Sequence, residues 1–193
     1  LLTVERTMLN LLGHLSGIAT ATRRLVDLVA GTQAAICETR KTLPGLRGLQ
    51  KYAVHCGGGR LHRFGLFDAA LFKDNHLATM RSLGTDLEAA RRAARAMGPI
   101  RFVEVEVDTL DQLDTVLSFE LGVVDIILLD NMPPEMMAEA VRRRDDRRPT
   151  VELEASGGIS EATIQAVAQS GVDRISVGAL THSVQNLDLG FDL

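Results

Sequence analysis

Apolar residues recur every three or four positions near the start of the chain: Met8, Leu11, Leu12, Leu15 and Ile18, then Leu25, Leu28 and Val29. That spacing predicts a long helix from Thr3 to about Ala30, stopped by Gly31, with Ser16-Gly17 expected to kink or split it. Beyond it the pattern changes to short β-rich runs that alternate with helical ones. Strands are expected at Ala34–Cys37, Ala70–Lys73, Phe102–Val107, Asp125–Leu129, Val151–Glu154 and Arg174–Val177, with one more in the region Arg60–Phe67. Thr85-Asp-Leu-Glu88 and Thr109-Leu-Asp-Gln112 read as capping boxes. The first opens a helix that stops at Gly98-Pro99; the second opens one that runs to about Glu120. Pro133 and Pro134 suit the first turn of a helix ending in the charged run Arg142 to Arg148, and a last helix starts at Ser160.

Strand, helix, strand, repeated, predicts parallel strands with helical crossovers. The apolar strands suit burial on both faces, as parallel sheets require. Nearly every strand ends in chemically capable residues: Glu38-Thr-Arg-Lys41, Lys73-Asp-Asn-His76, Glu106, Asp130-Asn131, Glu154-Ala-Ser-Gly-Gly158 and Gly178. In a barrel such ends converge on one mouth, whereas an open sheet strings them along a line. The expected fold is therefore α/β, an open, incomplete parallel α/β barrel of six to seven strands, formed by residues 1–193 as one domain.

Composition agrees with an ordinary globular domain: charged residues make up 24% and apolar ones 46%. The net charge is -4, so a local basic cluster suits a small polyanion better than nucleic acid, and with aromatics at 4% and no Trp there is little to stack on bases. No apolar run is long enough for a membrane span. Cys37 and Cys56 are too few for a disulfide framework, which suggests a reducing, cytoplasmic setting. Cys56 beside Gly57 has no evident activating partner and is read as packing.

The basic cluster is the richest chemistry in the chain. Arg40 and Lys41 follow the first short strand, His62-Arg63 adds two donors, and Lys73 closes an apolar strand, where an anionic partner is expected. Arg suits bidentate carboxylate binding and Lys suits a phosphate. Arg91, Arg92, Arg95 and Arg142 to Arg148 read instead as solvated helix faces. Ser156-Gly157-Gly158 between strand and helix, with Gly178 after the next strand, predicts a phosphate cradle, because glycines let backbone N–H groups approach an oxyanion. Glu106 and Asp130 end adjacent strands, as counter-charges, as ligands for ribose hydroxyls or magnesium, or as stabilisers of a cationic transition state. Glu104 shares a face with Glu106, as a second acid or as the buried partner of a Lys, and His76 reads as structural. No His and Cys spacing suits a structural zinc.

The order of short motifs resembles the barrel domain of quinolinate phosphoribosyltransferase, the decarboxylating nicotinate-nucleotide pyrophosphorylase of NAD synthesis. The matching pieces include Glu5-Arg-Thr7, Thr39-Arg-Lys-Thr42, Pro44-Gly-Leu-Arg47, Gly57-Gly-Gly59, His62-Arg63, Lys73-Asp-Asn-His76, Glu104-Val-Glu106, Leu128-Leu-Asp-Asn131, Glu154-Ala-Ser-Gly-Gly158 and Val177-Gly-Ala-Leu-Thr-His182. The resemblance implies a seven-stranded open barrel, a homodimer or higher homo-oligomer, and magnesium-dependent phosphoribosyl transfer from phosphoribosyl pyrophosphate to quinolinate. The products would be nicotinate mononucleotide, pyrophosphate and carbon dioxide. The implied quinolinate ligands are Arg40, His62, Arg63 and Lys73; the phosphate ligands are Lys41, Ser156, Gly157 and Gly178; the ribose and metal ligands are Glu106 and Asp130. Lys41, Lys73, Glu106 and Asp130 are the expected catalytic residues. The family carries an N-terminal α/β domain that lends an arginine to the partner's site. Leu1 begins where the barrel's leading helix should begin, so that domain is expected to be absent, and Leu187–Leu193 reads as a strand returning towards it. Two other readings stay open: a paralogous molybdenum-associated phosphoribosyltransferase-like protein, and a non-catalytic ligand-binding or dimerisation fragment.

Overall fold

The computed structural model of the protein describes residues 2–73 and 83–191. Along the chain run α1 (Leu2–Leu28), β1 (Ala35–Cys37), α2 (Arg47–Cys56), β2 (Ala70–Phe72), α3 (Leu83–Met97), β3 (Val103–Val107), α4 (Leu110–Leu117), β4 (Ile126–Asp130), α5 (Pro134–Arg147), β5 (Glu152–Ser156), α6 (Ile164–Gln169), β6 (Arg174–Ser176) and α7 (Ala179–His182). The six strands form one sheet, all parallel, in the order β1-β6-β5-β4-β3-β2. In place of a full strand in 60–67 there is a single parallel bridge from Arg60 to Cys37, on the free edge of β1. The barrel is thus open, with a rudimentary seventh position.

Strand parity sorts the side chains. One face carries Ile36, Val105, Val107, Ile127, Leu129, Leu153, Ala155 and Ile175, all buried beneath the helices in a continuous apolar core with Leu87, Leu113, Met137 and Ile164. Register puts the other residues together on the inner face: Glu104 beside Ile126, Glu106 beside Leu128, Leu128 beside Glu154, Glu154 beside Arg174, and Cys37 beside Ser176. The sheet is buried on both sides, as its apolar runs require, yet its inner side is largely polar.

Local chemistry explains the departures from expectation. α1 is one unbroken helix through Ser16-Gly17. Its glycines serve packing: a Cβ on Gly17 would collide with the Gln185 carbonyl oxygen, and one on Gly13 with that of Leu187. The Leu187 N–H donates to the Gly13 carbonyl at 3.0 Å. The expected strand over Leu187–Leu193 does not form through Phe191; Leu187 bonds to α1, and no sheet pairing follows it among the described residues. α2 was not foreseen because its buried face includes polar Gln50 and Lys51 while Leu49 and Tyr52 are exposed, which hides the helical period. α3 begins ahead of its predicted cap, whereas α4 has the capping box of Thr109 and Gln112. α6 begins at Ile164, after a turn that starts at Ser160. The run Arg142 to Arg148 is only partly a solvated face, since Arg144 is 4% exposed and bonds to Asp173, Asp145 and the Val151 carbonyl. Arg91 likewise has its side chain largely covered, 3.5 Å from Asp125. No described helix is long and apolar enough to cross a membrane.

Candidate active site

Parallel strands leave their C-terminal ends on one side, and here those ends enclose a cavity of about 770 Å³. The expected residues all face it: Arg40 and Lys41 after β1, His62 and Arg63 after the bridge, Lys73 after β2, Glu106 on β3, Asp130 on β4, Ser156, Gly157 and Gly158 at the end of β5, and Gly178 after β6. Convergence of strand ends from β1 round to β6 on one cavity is the behaviour of a barrel mouth. Asp74, Asn75 and His76 lie outside the described residues.

The rim is cationic. Lys73 Nζ donates to both carboxylate oxygens of Glu106, at 2.6 and 2.9 Å, so the expected anionic partner of Lys73 is Glu106, although the lysine side chain is half exposed. Arg63 is buried, with Nη1 3.4 Å from the Ala69 carbonyl. Burial first, and then the neighbouring Arg40 charge, depress the Arg63 pKa. Two guanidinium groups that repel one another at a cavity wall form a site that an anion would relieve. Lys41 comes next to Gly178, whose Cβ, if present, would meet Lys41 Cδ at 3.3 Å and His182 Nε2 at 3.2 Å.

The wall below is held by buried charges. Glu38 and Lys51 form a buried ion pair, and the Glu38 carboxylate also accepts the His62 N–H at 2.9 Å. Lys51 Nζ lies 3.3 Å from the His62 carbonyl. The pair therefore joins the loop of Arg40 and Lys41 to the loop of His62 and Arg63. His62 Nε2 sits 3.1 Å from Glu104 and 3.2 Å from Glu154. Glu104 thus partners a histidine rather than a lysine. Glu154 also receives Arg174 Nε at 2.5 Å and the Ser176 hydroxyl. Phe102 floors the cluster, edge-on to His62 and 5.6 Å beneath Arg174.

Burial alone would lower the His62 pKa, but Glu104 and Glu154 outweigh it and carry it up to about 9. The Arg63 N–H donates to His62 Nδ1 at 2.8 Å, which favours a lone pair there. Two carboxylates in a low-dielectric pocket thus pull the ring towards the cation, and the Arg63 amide pulls against them. Burial would raise the Glu154 pKa, yet His62, Arg174 and Ser176 bring it down to about 2. Glu104 is pushed up, by burial and then by Glu154, against the opposing pull of His62.

His62, Glu104 and Glu154 are close enough together to hold a metal ion. Arg174 already pairs with Glu154, and His62 stands between the two carboxylates, so the cluster is an ion-pair floor. Glu106 and Asp130, on neighbouring strands and facing the cavity, offer oxygen ligands alone, which suits magnesium held by one or two carboxylates together with a substrate's phosphates. Glu38, Thr39, Asn131 and His182, named from the sequence only within strand ends and motifs and given no role there, also line the cavity. Their only signal was adjacency to the strand ends.

The family described as quinolinate phosphoribosyl transferase, C-terminal domain, matches residues 18–192. The chain is 57% identical over 193 residues to a nicotinate-nucleotide pyrophosphorylase (carboxylating) of Mycobacterium leprae (strain TN), and 45% identical over 194 residues to a probable enzyme of that name from Bacillus subtilis (strain 168). All of this chain is covered, but it spans only 66% and 64% of those two relatives. Among solved structures, the nicotinate-nucleotide pyrophosphorylase from Francisella tularensis superposes with a TM-score of 0.84 at 42% identity, covering 97% of this chain and 63% of that one. The corresponding protein of Ehrlichia chaffeensis gives 0.85 at 41% identity, covering 100% and 66%.

Proposed function

Since this chain belongs to the quinolinate phosphoribosyl transferase C-terminal-domain family, we propose that it binds quinolinate and phosphoribosyl pyrophosphate at the barrel mouth and provides the catalytic wall for forming nicotinate mononucleotide. The observation that carries the reading is a single cavity faced by Arg40, Lys41, His62, Arg63 and Lys73 and closed at one side by the Ser156–Gly158 turn. Quinolinate is a dianion and the donor carries several negative charges, so both suit that rim. Arg40, Arg63 and Lys73 would hold the two ring carboxylates, with His62, whose ring nitrogens are both engaged, in the wall beneath them. Lys41, Ser156, Gly157, Gly158 and Gly178 would hold the donor's phosphates.

In the transfer, the bond from ribose C1 to pyrophosphate breaks and the ring nitrogen forms a new bond to C1. Positive charge develops on the sugar as pyrophosphate leaves with the electron pair, and Glu106 and Asp130 would stabilise it. Lys41 and the glycine turn would take up the growing charge on the leaving group. The quaternised nitrogen then stabilises the carbanion left when the adjacent carboxylate departs as carbon dioxide, and a proton replaces it. Magnesium, when bound by Glu106, Asp130 and the donor, would neutralise phosphate charge.

The same proposal includes a homodimer or higher homo-oligomer, supported by Val4, Met8 and Leu12, each about half exposed at helical spacing on α1. Two free cysteines accord with a reducing, cytoplasmic setting. Calorimetric titration with quinolinate, followed by assay of nicotinate mononucleotide formation with phosphoribosyl pyrophosphate and magnesium, tests the reading. Binding with turnover supports it. Binding without turnover leaves a ligand-binding module, and absence of binding leaves the molybdenum-associated paralogue.

A further inference from the structure

Where β4 leaves the sheet, Asn131 is the one described residue other than glycine with a left-handed backbone, at φ 53°. Asparagine tolerates that region better than most residues, but glycine adopts it without strain. The side chain therefore calls for a reason beyond the turn. Three contacts supply one. Asn131 Nδ2 donates to Asp130 Oδ2 at 2.7 Å. The Asn131 N–H donates to the Ser156 carbonyl at 2.9 Å, which extends the β4–β5 ladder one residue past the pair Asp130 and Ser156. Asn131 Oδ1 lies so close to Gly157, itself at φ +96°, that a Cβ there would collide with it.

We infer that Asn131 is a positioning residue that sets the Asp130 carboxylate and the Ser156–Gly158 turn in fixed relation to each other. This rests on the proposed function, in which Asp130 faces the sugar or magnesium and the turn faces phosphate. With one carboxylate oxygen tied to Nδ2, the Asp130 carboxylate is held in one orientation. With Oδ1 packed on Gly157, the turn cannot shift without moving Asn131. The residue acts through its neighbours and needs no contact with the reacting atoms.

The test uses Asn131→Gly, Asp130→Asn and the double variant, with calorimetric binding of phosphoribosyl pyrophosphate in the presence of magnesium. Asn131→Gly should melt close to the wild-type temperature, because relief of the left-handed backbone offsets the added freedom of the unfolded chain, yet bind the donor roughly tenfold more weakly, the scale of a lost hydrogen bond to a charged group. Added to Asp130→Asn, it should cost little more, since the two residues act as one unit. Wild-type affinity in Asn131→Gly, full additivity in the double variant, or a marked fall in melting temperature would each overturn the inference. If the wild-type protein itself binds no donor, the proposed function fails, and amide exchange then judges the inference alone. Gly157 and Gly158 amides exchanging several-fold faster in Asn131→Gly support it; unchanged exchange overturns it.

Discussion

Lys73 and Glu106 form a two-pronged ion pair across the mouth, with Nζ 2.6 and 2.9 Å from the two carboxylate oxygens. Lys73 follows β2 and Glu106 lies on the neighbouring β3, and both face the cavity. The pair joins the two halves of the proposed chemistry. On that proposal, a ring carboxylate arriving at Lys73 would compete with Glu106, and the displaced Glu106 would become available to the sugar or a cation. Because the lysine is half exposed, the pair itself contributes little stability, and its worth lies in function.

Lys41→Ala and Lys73→Ala should each lower nicotinate mononucleotide formation by at least about a hundredfold, the scale of a charge contact removed from a developing anion. Both side chains reach the mouth from strand ends and lie outside the apolar core, so melting temperature should change little. Wild-type rates in both variants would remove these residues from the site.

Asp130→Asn and Glu106→Gln should reduce kcat more than they raise KM for quinolinate. A carboxylate facing the sugar matters most as positive charge develops there. Loss of quinolinate binding with kcat unchanged at saturation would show that these acids serve only to organise the cations.

The ion-pair floor makes stability depend on pH in two opposite senses. His62 is raised from 6.5 to about 9, so its contribution is complete below about 6.5 and is lost as pH rises through 9. Glu154 is lowered from 4.5 to about 2, so its contribution is complete above about 4.5 and is lost as pH falls towards 2. Urea unfolding of wild type and His62→Gln should therefore show a clear stability gap at about pH 6 that narrows by about pH 9.5. A gap of equal size at both values would mean that His62 is not charged in the folded protein.

Neighbouring glycines in the turn should behave differently. Gly157→Ala meets both a left-handed backbone at φ +96° and Asn131 Oδ1, and should destabilise the protein by about 3 kcal/mol. Gly158, at φ +60° with nothing within 4 Å of an added Cβ, should lose only about 1 kcal/mol on change to Ala, while phosphate affinity falls because the methyl group enters the cradle. Chemical denaturation and inorganic phosphate binding measure the two effects; equal destabilisation by both would show that the Asn131 contact is unimportant.

Much of the fold was legible because it rests on local patterns. Apolar runs marked all six strands within a residue or two, and the Thr109–Gln112 box marked the start of α4. The loaded strand ends named the barrel mouth, since parallel strands must deliver their C-terminal residues to one side. Local pattern failed where a residue's reason was distant. Gly13 and Gly17 looked like breaks in a helix, but they make room for a segment some 170 residues later in the chain. Gln50 and Lys51 concealed α2, because their buried polar atoms are satisfied by Thr181, Leu43 and Glu38 from other elements.

The sequence by itself determined which residues could reach the mouth, because strand period and strand direction are properties of the local chain. The pairing of charges was decided only in three dimensions. Nothing in the order of residues says that Glu104 meets His62, that Glu154 meets Arg174, or that Asn131 stands between Asp130 and Gly157. Those partners are set by sheet register and by the curl of the barrel, which bring together groups far apart in the chain and remove them from water. Only there, at low dielectric, do the same side chains acquire a shifted pKa, a fixed orientation and a role.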